Sequence, residues 1–446
     1  MARRPNFVFI VADDLGFADL GCYGGRDAAF GPVSPVLDRL AANGLRFTQG
    51  YSNSPVCSPT RFAMATARWQ YRLRGAAEEP INSKSKGSTT LGLPPEHPTL
   101  PSLLRAGGYR TALIGKWHLG YPPVFGPLKS GYDEFFGPMS GGVDYFTHCS
   151  NNGSHDLYFG DAERHEEGYL TDLLSRRAVD WVDRMAGQDA PFLLSLHYTA
   201  PHWPWETRDD EALAHEVKDN LFHLHGGNIH TYRRMIHHMD EGIGWLVEAL
   251  RRNGQLDNTL IVFTSDNGGE RFSDNWPLVG GKMDLTEGGI RVPWIAHWPA
   301  VIAPGRETTQ PCLTMDWSAT LLDAAGVLDG SAGVSPDPDY PLDGLSLLPV
   351  LQAADREFPR PLYWRMNHRG QRALRDGDWK YLRVDGHDYL FNIPADERER
   401  ANLAAREPAR LAQLRAAWEA WNDTMPAIPA DATVSLGYSA KDMPQR

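Results

Sequence analysis

Short apolar runs rich in β-branched and aromatic residues recur along the chain at 6–12, 109–114, 192–198, 259–265 and 292–297. Runs this short and this continuous predict strands buried on both faces. Between them the spacing becomes helical. Residues 35–44 (PVLDRLAANG) and 100–107 each stop at a glycine, and 231–253 is a longer helix with Met235, Met239, Ile243 and Leu246 on one face. Strands alternating with helices predict an α/β fold, a large and mostly parallel sheet flanked by helices on both faces.

The pattern changes after the proline- and glycine-rich stretches at 332–342 and 358–362. The runs 362–366, 372–374, 379–384 and 389–393 are separated by turn signals, Asp376-Gly377-Asp378 and Asp385-Gly386. They predict an antiparallel meander. A helix over 408–423 follows, and the Pro- and Ala-rich chain from Met425 predicts an irregular tail. The expected organisation is a catalytic domain over 1–345 and a smaller C-terminal α+β domain with an antiparallel sheet over 346–446.

With 446 residues the chain can bury a large core. Its net charge of −12 argues against nucleic acid and against long-range capture of polyanions. No apolar stretch is long enough to span a bilayer, so no membrane partner is expected. The basic start Met1-Ala2-Arg3-Arg4 leads into an apolar run too short for a signal peptide, which ends in Asp13-Asp14. A cytoplasmic protein is expected, and a homo-oligomer is left open. Cys22, Cys57, Cys149 and Cys312 show neither CxxC nor zinc spacing, so no disulfide framework is expected.

Polar residues cluster where the predicted strands end, the place at which open α/β sheets bind ligands. Asp13-Asp14 ends the first run, Lys116-Trp117-His118 follows the second, His202 the third and Asp266-Asn267 the fourth. Asp13, Asp14, Asp266 and Asn267 form a hard, oxygen-rich set suited to Ca²⁺, or alternatively Mg²⁺, rather than zinc. Arg61, Lys116, His118, His202 and Lys282 are then the cations and imidazoles that could surround an anion. Trp203 and Trp205 could wall an aryl or sugar ring beside it. Asp144, Tyr145 and His148 read as loop structure, and His223, His225, His230, His237 and His238 as ordinary histidines.

Within Cys57-Ser58-Pro59-Thr60-Arg61, Ser58 is a good N-cap and Pro59 a good first helical residue. A thiol beside a helix N-terminus favours thiolate, and Arg61 one turn on could fork onto an oxyanion. Three chemistries use such a cysteine. A tyrosine-phosphatase-type loop needs five residues between Cys and Arg, and this chain has three. A Cys-His hydrolase has no use for the carboxylates. In the third, Cys57 is first converted to an aldehyde.

Here the chain resembles the sulfatase family. Cys57-Ser58-Pro59-Thr60-Arg61 matches its Cys-x-Pro-x-Arg core, and Gly115-Lys116-Trp117-His118-Leu119-Gly120 its second signature. Asp13-Asp14-Leu15-Gly16, Pro201-His202, Ser265-Asp266-Asn267-Gly268, Lys282 and Glu287-Gly288-Gly289-Ile290-Arg291-Val292-Pro293 match in order, as do Arg375-Asp376-Gly377-Asp378-Trp379-Lys380-Tyr381 and residues 397–403. The resemblance implies an alkaline-phosphatase-like fold and conversion of Cys57 to formylglycine by a separate maturing enzyme. It also implies a sulfuric ester hydrolase, arylsulfatase-like, acting on a small aryl or sugar sulfate. One hydroxyl of the aldehyde hydrate would attack sulfur, giving a covalent sulfo-enzyme, and the other would expel sulfate. Asp13, Asp14, Asp266, Asn267 and residue 57 would hold the metal. Arg61 and Lys116 would hold the hydrate, and His118 would take the proton as sulfate leaves. His202 and Lys282 would contact the sulfate, with His202 favoured to protonate the leaving oxygen. Lys116-Trp117-His118 favours this reading over a phosphodiester or phosphonate monoester hydrolase of the same superfamily. The chain departs from the family in Thr60, where Ser is commoner, and in Ala67, where Gly is usual.

Overall fold

The computed structural model describes residues 4–25, 31–217, 221, 226–353 and 356–436, and His223 and His225 lie outside them. Asn6–Ala12 runs through the middle of a ten-stranded sheet, paired in parallel with Phe192–His197 on one side and Thr259–Ser265 on the other. Arg110–Gly115 and then Glu134–Gly137 extend the parallel part beyond Phe192–His197. Side chains of the central strand alternate between two cores. Val8, Ile10 and Ala12 pack with the helices Leu170–Met185 and Ile229–Arg252. Phe7, Phe9 and Val11 pack on the opposite face, against residues of Leu100–Ala106 and Thr314–Ala324. A strand feeding two cores has no polar face, hence the continuous run.

Trp294–His297 departs from the parallel expectation, because it pairs antiparallel with Thr259–Ser265. The chain between them carries only the short helix Glu287–Ile290 and turns back at the sheet edge where Thr259–Ser265 ends. A strand that restarts at the edge where its neighbour ended must run the other way.

The second sheet is the expected meander, Leu362–Arg365, Arg372–Asp376, Trp379–Val384 and His387–Asn392, followed by the helix Pro408–Asn422. Leu347, Val350, Leu351 and Phe358 still pack on the large-sheet core, whereas Leu362 belongs to the core under the second sheet. Leu362, Trp364 and Phe391 of the second sheet share a core cluster with Val56, Cys57 and Met283. Lys380 is fully buried and pairs with Glu287 at 2.9 Å and Glu399 at 2.8 Å. The C-terminal motifs are thus anchored on the segment that carries Lys282. Among the described residues, no helix is long and apolar enough to cross a membrane.

Candidate active site

Four strands finish level with one another. Val11 and Gly115 both lie opposite His197, and Ala12 lies opposite Ser265. The next residues therefore arrive side by side at one sheet edge. Gly115 makes the turn into Lys116: its φ is +114°, and a Cβ there would sit 1.8 Å from the His197 carbonyl oxygen. Lys116 N–H then donates to that oxygen at 2.8 Å.

Every residue singled out for this site is buried: Asp13, Asp14, Cys57, Arg61, Lys116, His118, His202, Trp203, Asp266, Asn267 and Lys282. One ligand atom each from Asp13, Cys57 and Asp266 lie within 4.8 Å of one another, and the same holds for Asp13, Asp14 and His202. Lys116 Nζ pairs with Asp13 Oδ2, and Lys282 Nζ with Asp14 Oδ2 at 2.6 Å. Asn267 Nδ2 donates to Asp14 Oδ1 at 2.7 Å.

Two oxygens at this centre, Asp13 Oδ1 and Asn267 Oδ1, are buried without a hydrogen-bond partner. Orphaned buried acceptors are costly and call for a ligand. Three carboxyl groups face three cations here, Arg61, Lys116 and Lys282. Burial first, and then Asp266, push the Asp13 carboxyl up to about 8. Asp14 goes the other way, to about 2: burial opposes its ionisation, but the Lys282 ammonium beside it outweighs that. An all-oxygen donor set with two unsatisfied members fits a hard dication.

The helix expected to begin at Pro59 starts earlier. It spans Cys57–Thr66 with Val56 as N-cap, and no side chain caps it. Pro59 is tolerated because N–H groups of the first turn have no intrahelical partner. Ser58 Oγ accepts from Ile81 N–H at 3.0 Å instead, and the Ile81 carbonyl faces His118 Nε2 at 2.7 Å. Thr60 Oγ1 closes the loop onto Ser54, donating to its carbonyl and accepting from its N–H, both at 2.9 Å, as a serine hydroxyl would. The helix stops at Ala67 in the left-handed region, φ +54°. Glycine is at ease in that conformation, which costs an alanine roughly 1–2 kcal/mol.

Two electrostatic expectations change. Cys57 is not poised as a thiolate: burial pushes its thiol up, against the pull of Lys116 and Lys282. Arg61 is not a free anion clamp either. Its Nε donates to Asp266 Oδ2 at 2.9 Å and Nη1 to the Lys116 carbonyl at 3.0 Å, while Nη2 lies 2.8 Å from the same Asp266 oxygen as an ion pair without a hydrogen bond of its own.

Both imidazoles are held neutral by burial first, and then by Lys116 at His118 and Lys282 at His202. The partner carbonyls fix the tautomers. His118 gives its Nε2 proton to Ile81, so Nδ1 is an acceptor, buried without a partner. His202 gives its Nδ1 proton to the Trp203 carbonyl at 2.6 Å, leaving Nε2 as the acceptor.

Cys57, His118, His202 and Trp203 line one cavity of about 240 Å³. Trp205 does not reach it and packs edge-on against Phe272. Asp144 caps its own loop through the N–H groups of Phe146 and Thr147, and His148 faces the Gly168 carbonyl. Tyr145 has a use no sequence signal gave: its hydroxyl donates to the His202 carbonyl at 2.9 Å. Ser435 and Leu436 also line the cavity, although they lie in the tail expected to be irregular.

The family profile Sulfatase matches residues 5–327. Human arylsulfatase A is 32% identical over 93% of this chain and 82% of its own length. Human N-acetylgalactosamine-6-sulfatase is 32% identical over 81% of this chain and 68% of its own. Among solved structures, Ps i-CgsB in complex with k-i-k-neocarrahexaose superposes with a TM-score of 0.81 at 33% identity, covering 94% of this chain and 92% of that one. Buried carboxylates, lysines and a cysteine gathered at one sheet edge, in a chain so matched, place this protein in the sulfatase family of sulfuric ester hydrolases.

Proposed function

We propose that the chain hydrolyses a small ring sulfate at residue 57, after a maturing enzyme has converted Cys57 to formylglycine, with a divalent metal bound beside it. The convergence of Cys57 with Asp13 and Asp266, next to two orphaned buried oxygens, carries this reading. Asp13, Asp14, Asp266 and Asn267 would hold Ca²⁺ or Mg²⁺. When bound, the ion supplies charge that acidifies a hydroxyl at residue 57 and offsets charge on the sulfate oxygens. The hydrated aldehyde supplies two hydroxyls on one carbon, one to attack sulfur and one to release sulfate.

The other residues act around that centre. Arg61 holds Asp266 and Lys116 holds Asp13, so both cations orient the carboxyl groups. His118 is placed to accept a proton at Nδ1. His202 and Lys282 contact the sulfate. The leaving oxygen's proton is assigned to Lys282 rather than His202, because neutral His202 has its only ring proton on the Trp203 carbonyl. Trp203 offers an aromatic face to the ester's ring.

Lys282→Met should therefore slow a sugar sulfate by about 10²–10⁴-fold but a nitrophenyl sulfate far less, because only the poor leaving group needs the proton. His202→Asn should slow both alike. If the dependence on leaving-group acidity steepens in His202→Asn instead, the acid is His202.

Two measurements test the whole reading. The tryptic peptide containing residue 57 should show the mass of the aldehyde rather than the thiol. Rates on matched aryl sulfate and aryl phosphonate esters should favour the sulfate, and a large preference for the phosphonate overturns the assignment.

A further inference from the structure

Residues 431–435 are laced onto the loop 78–81, whose Ile81 carbonyl faces His118. Buried Glu78 accepts from both the backbone N–H and the hydroxyl of Thr433, and Glu79 N–H donates to the Thr433 carbonyl at 2.9 Å. Ser435 N–H donates to the Glu79 carbonyl at 2.9 Å, with Val434 bridged to Glu79 in parallel. Ser435 Oγ donates to the Pro80 carbonyl at 2.9 Å. Arg74 ties Glu78 at 2.6 Å and Asp431 at 3.1 Å. Glu79 is fixed in turn, since its carboxylate accepts from Asn367 and His368 N–H at 2.7 and 2.8 Å. Ile81, two residues on, orients His118. This lacing carries Ser435 and Leu436 to the wall of the cavity that also holds Cys57, His202 and Trp203.

A cavity of about 240 Å³ is small for an organic ligand, because sites for drug-sized molecules run from about 300 to 1,000 Å³. It takes a sulfate and one ring. Whatever else the ester carries must extend past the cavity wall, and Leu436 is a half-buried apolar side chain of that wall, packed on the cluster that holds Cys57. The sheet-end residues are occupied with one another and with the sulfate, which leaves them no means of sensing the size of the rest of the substrate.

We infer that the segment 433–436 sets the size of the leaving group, and that Leu436 is the residue that measures it. The substrate is then an ester whose sulfated ring is isolated or terminal on the side facing Leu436. Thr433 acts as a positioning residue, holding the segment through Glu78. The inference rests on the sulfate-ester reading of the same site.

The test uses full-length protein with the aldehyde formed. It measures kcat/KM on two aryl sulfates of matched leaving-group acidity, one with a single ring and one with a second ring attached. Leu436→Gly should raise the two-ring to one-ring ratio by about tenfold or more, and Leu436→Trp should lower it comparably, the range over which pocket size discriminates. Thr433→Val should shift it in the same direction as Leu436→Gly, through KM for the two-ring ester rather than through kcat. Melting curves establish that each variant is folded. An unchanged ratio in the folded variants overturns the inference and leaves the parent reading standing. If wild-type protein carrying the aldehyde hydrolyses neither ester, the parent reading fails and this one with it.

Discussion

Cys57→Ala is expected to hydrolyse an aryl sulfate at least about 10⁴-fold more slowly than the wild type, the scale on which a covalent nucleophile is lost. The native thiol offers no substitute. It is buried, and burial holds it protonated at neutral pH, so unconverted Cys57 is itself a poor nucleophile. Cys57→Ser separates attack from release. A serine hydroxyl at this position can attack sulfur once, but it has no second hydroxyl on the same carbon to expel the sulfate. The serine variant should therefore gain the mass of one sulfo group and stop. Melting temperatures within a few degrees of the wild type would show that neither loss reflects unfolding. Turnover retained in folded Cys57→Ala removes residue 57 from the mechanism altogether.

The sequence made this centre legible because its residues sit where a simple rule looks for them. The runs at 6–12 and 259–265 are strands with the expected limits, since both are buried on both faces and end in carboxylates. Asp13, Lys116 and Asp266 follow directly on strand ends, and strand register then brings them together. Local pattern told less about how they divide the work. The pairing of Arg61 with Asp266 joins residues far apart in the chain, and nothing near either position encodes it. The helices Leu170–Met185 and Thr314–Ala324 begin after Tyr169 and Leu313, neither of which is an N-cap residue type, so no start signal marks them. The tail from Met425 looked irregular because it lacks periodicity. Residues 433–436 of it are held by Glu78 and Glu79, 355 residues away from Thr433 in the case of Glu78. Irregular backbone fixed by distant buried carboxylates leaves no trace in a local window.

Chelation should reduce turnover to about 1% or less, and added Ca²⁺ or Mg²⁺ should restore it, as expected of a site whose metal stabilises developing charge. The physical case rests on what Asp13, Asp14, Asp266 and Asn267 face without an ion. Asp13 Oδ1 and Asn267 Oδ1 have no partner, and burial together with Asp266 opposes ionisation of Asp13. Binding a dication relieves both penalties in the folded state only. At a free concentration one hundred times its dissociation constant the ion adds about 2.7 kcal/mol of stability. The wild type should therefore melt at a lower temperature after chelation. Asp266→Asn should bind the ion weakly, turn over slowly, and show little further drop in melting temperature with chelator. Asp266→Ala should be worse folded than the asparagine variant. Both variants remove the carboxylate that pairs with the buried Arg61 guanidinium, but alanine also removes the oxygen that accepts from it, and an unsatisfied buried donor costs about 1–3 kcal/mol more. The response of the asparagine variant to chelator thus reports on the metal, and the difference between the two variants reports on the oxygen that Arg61 binds. If the chelated wild type kept full turnover and an unchanged melting temperature, the orphaned oxygens would need another ligand and the metal would drop out of the mechanism.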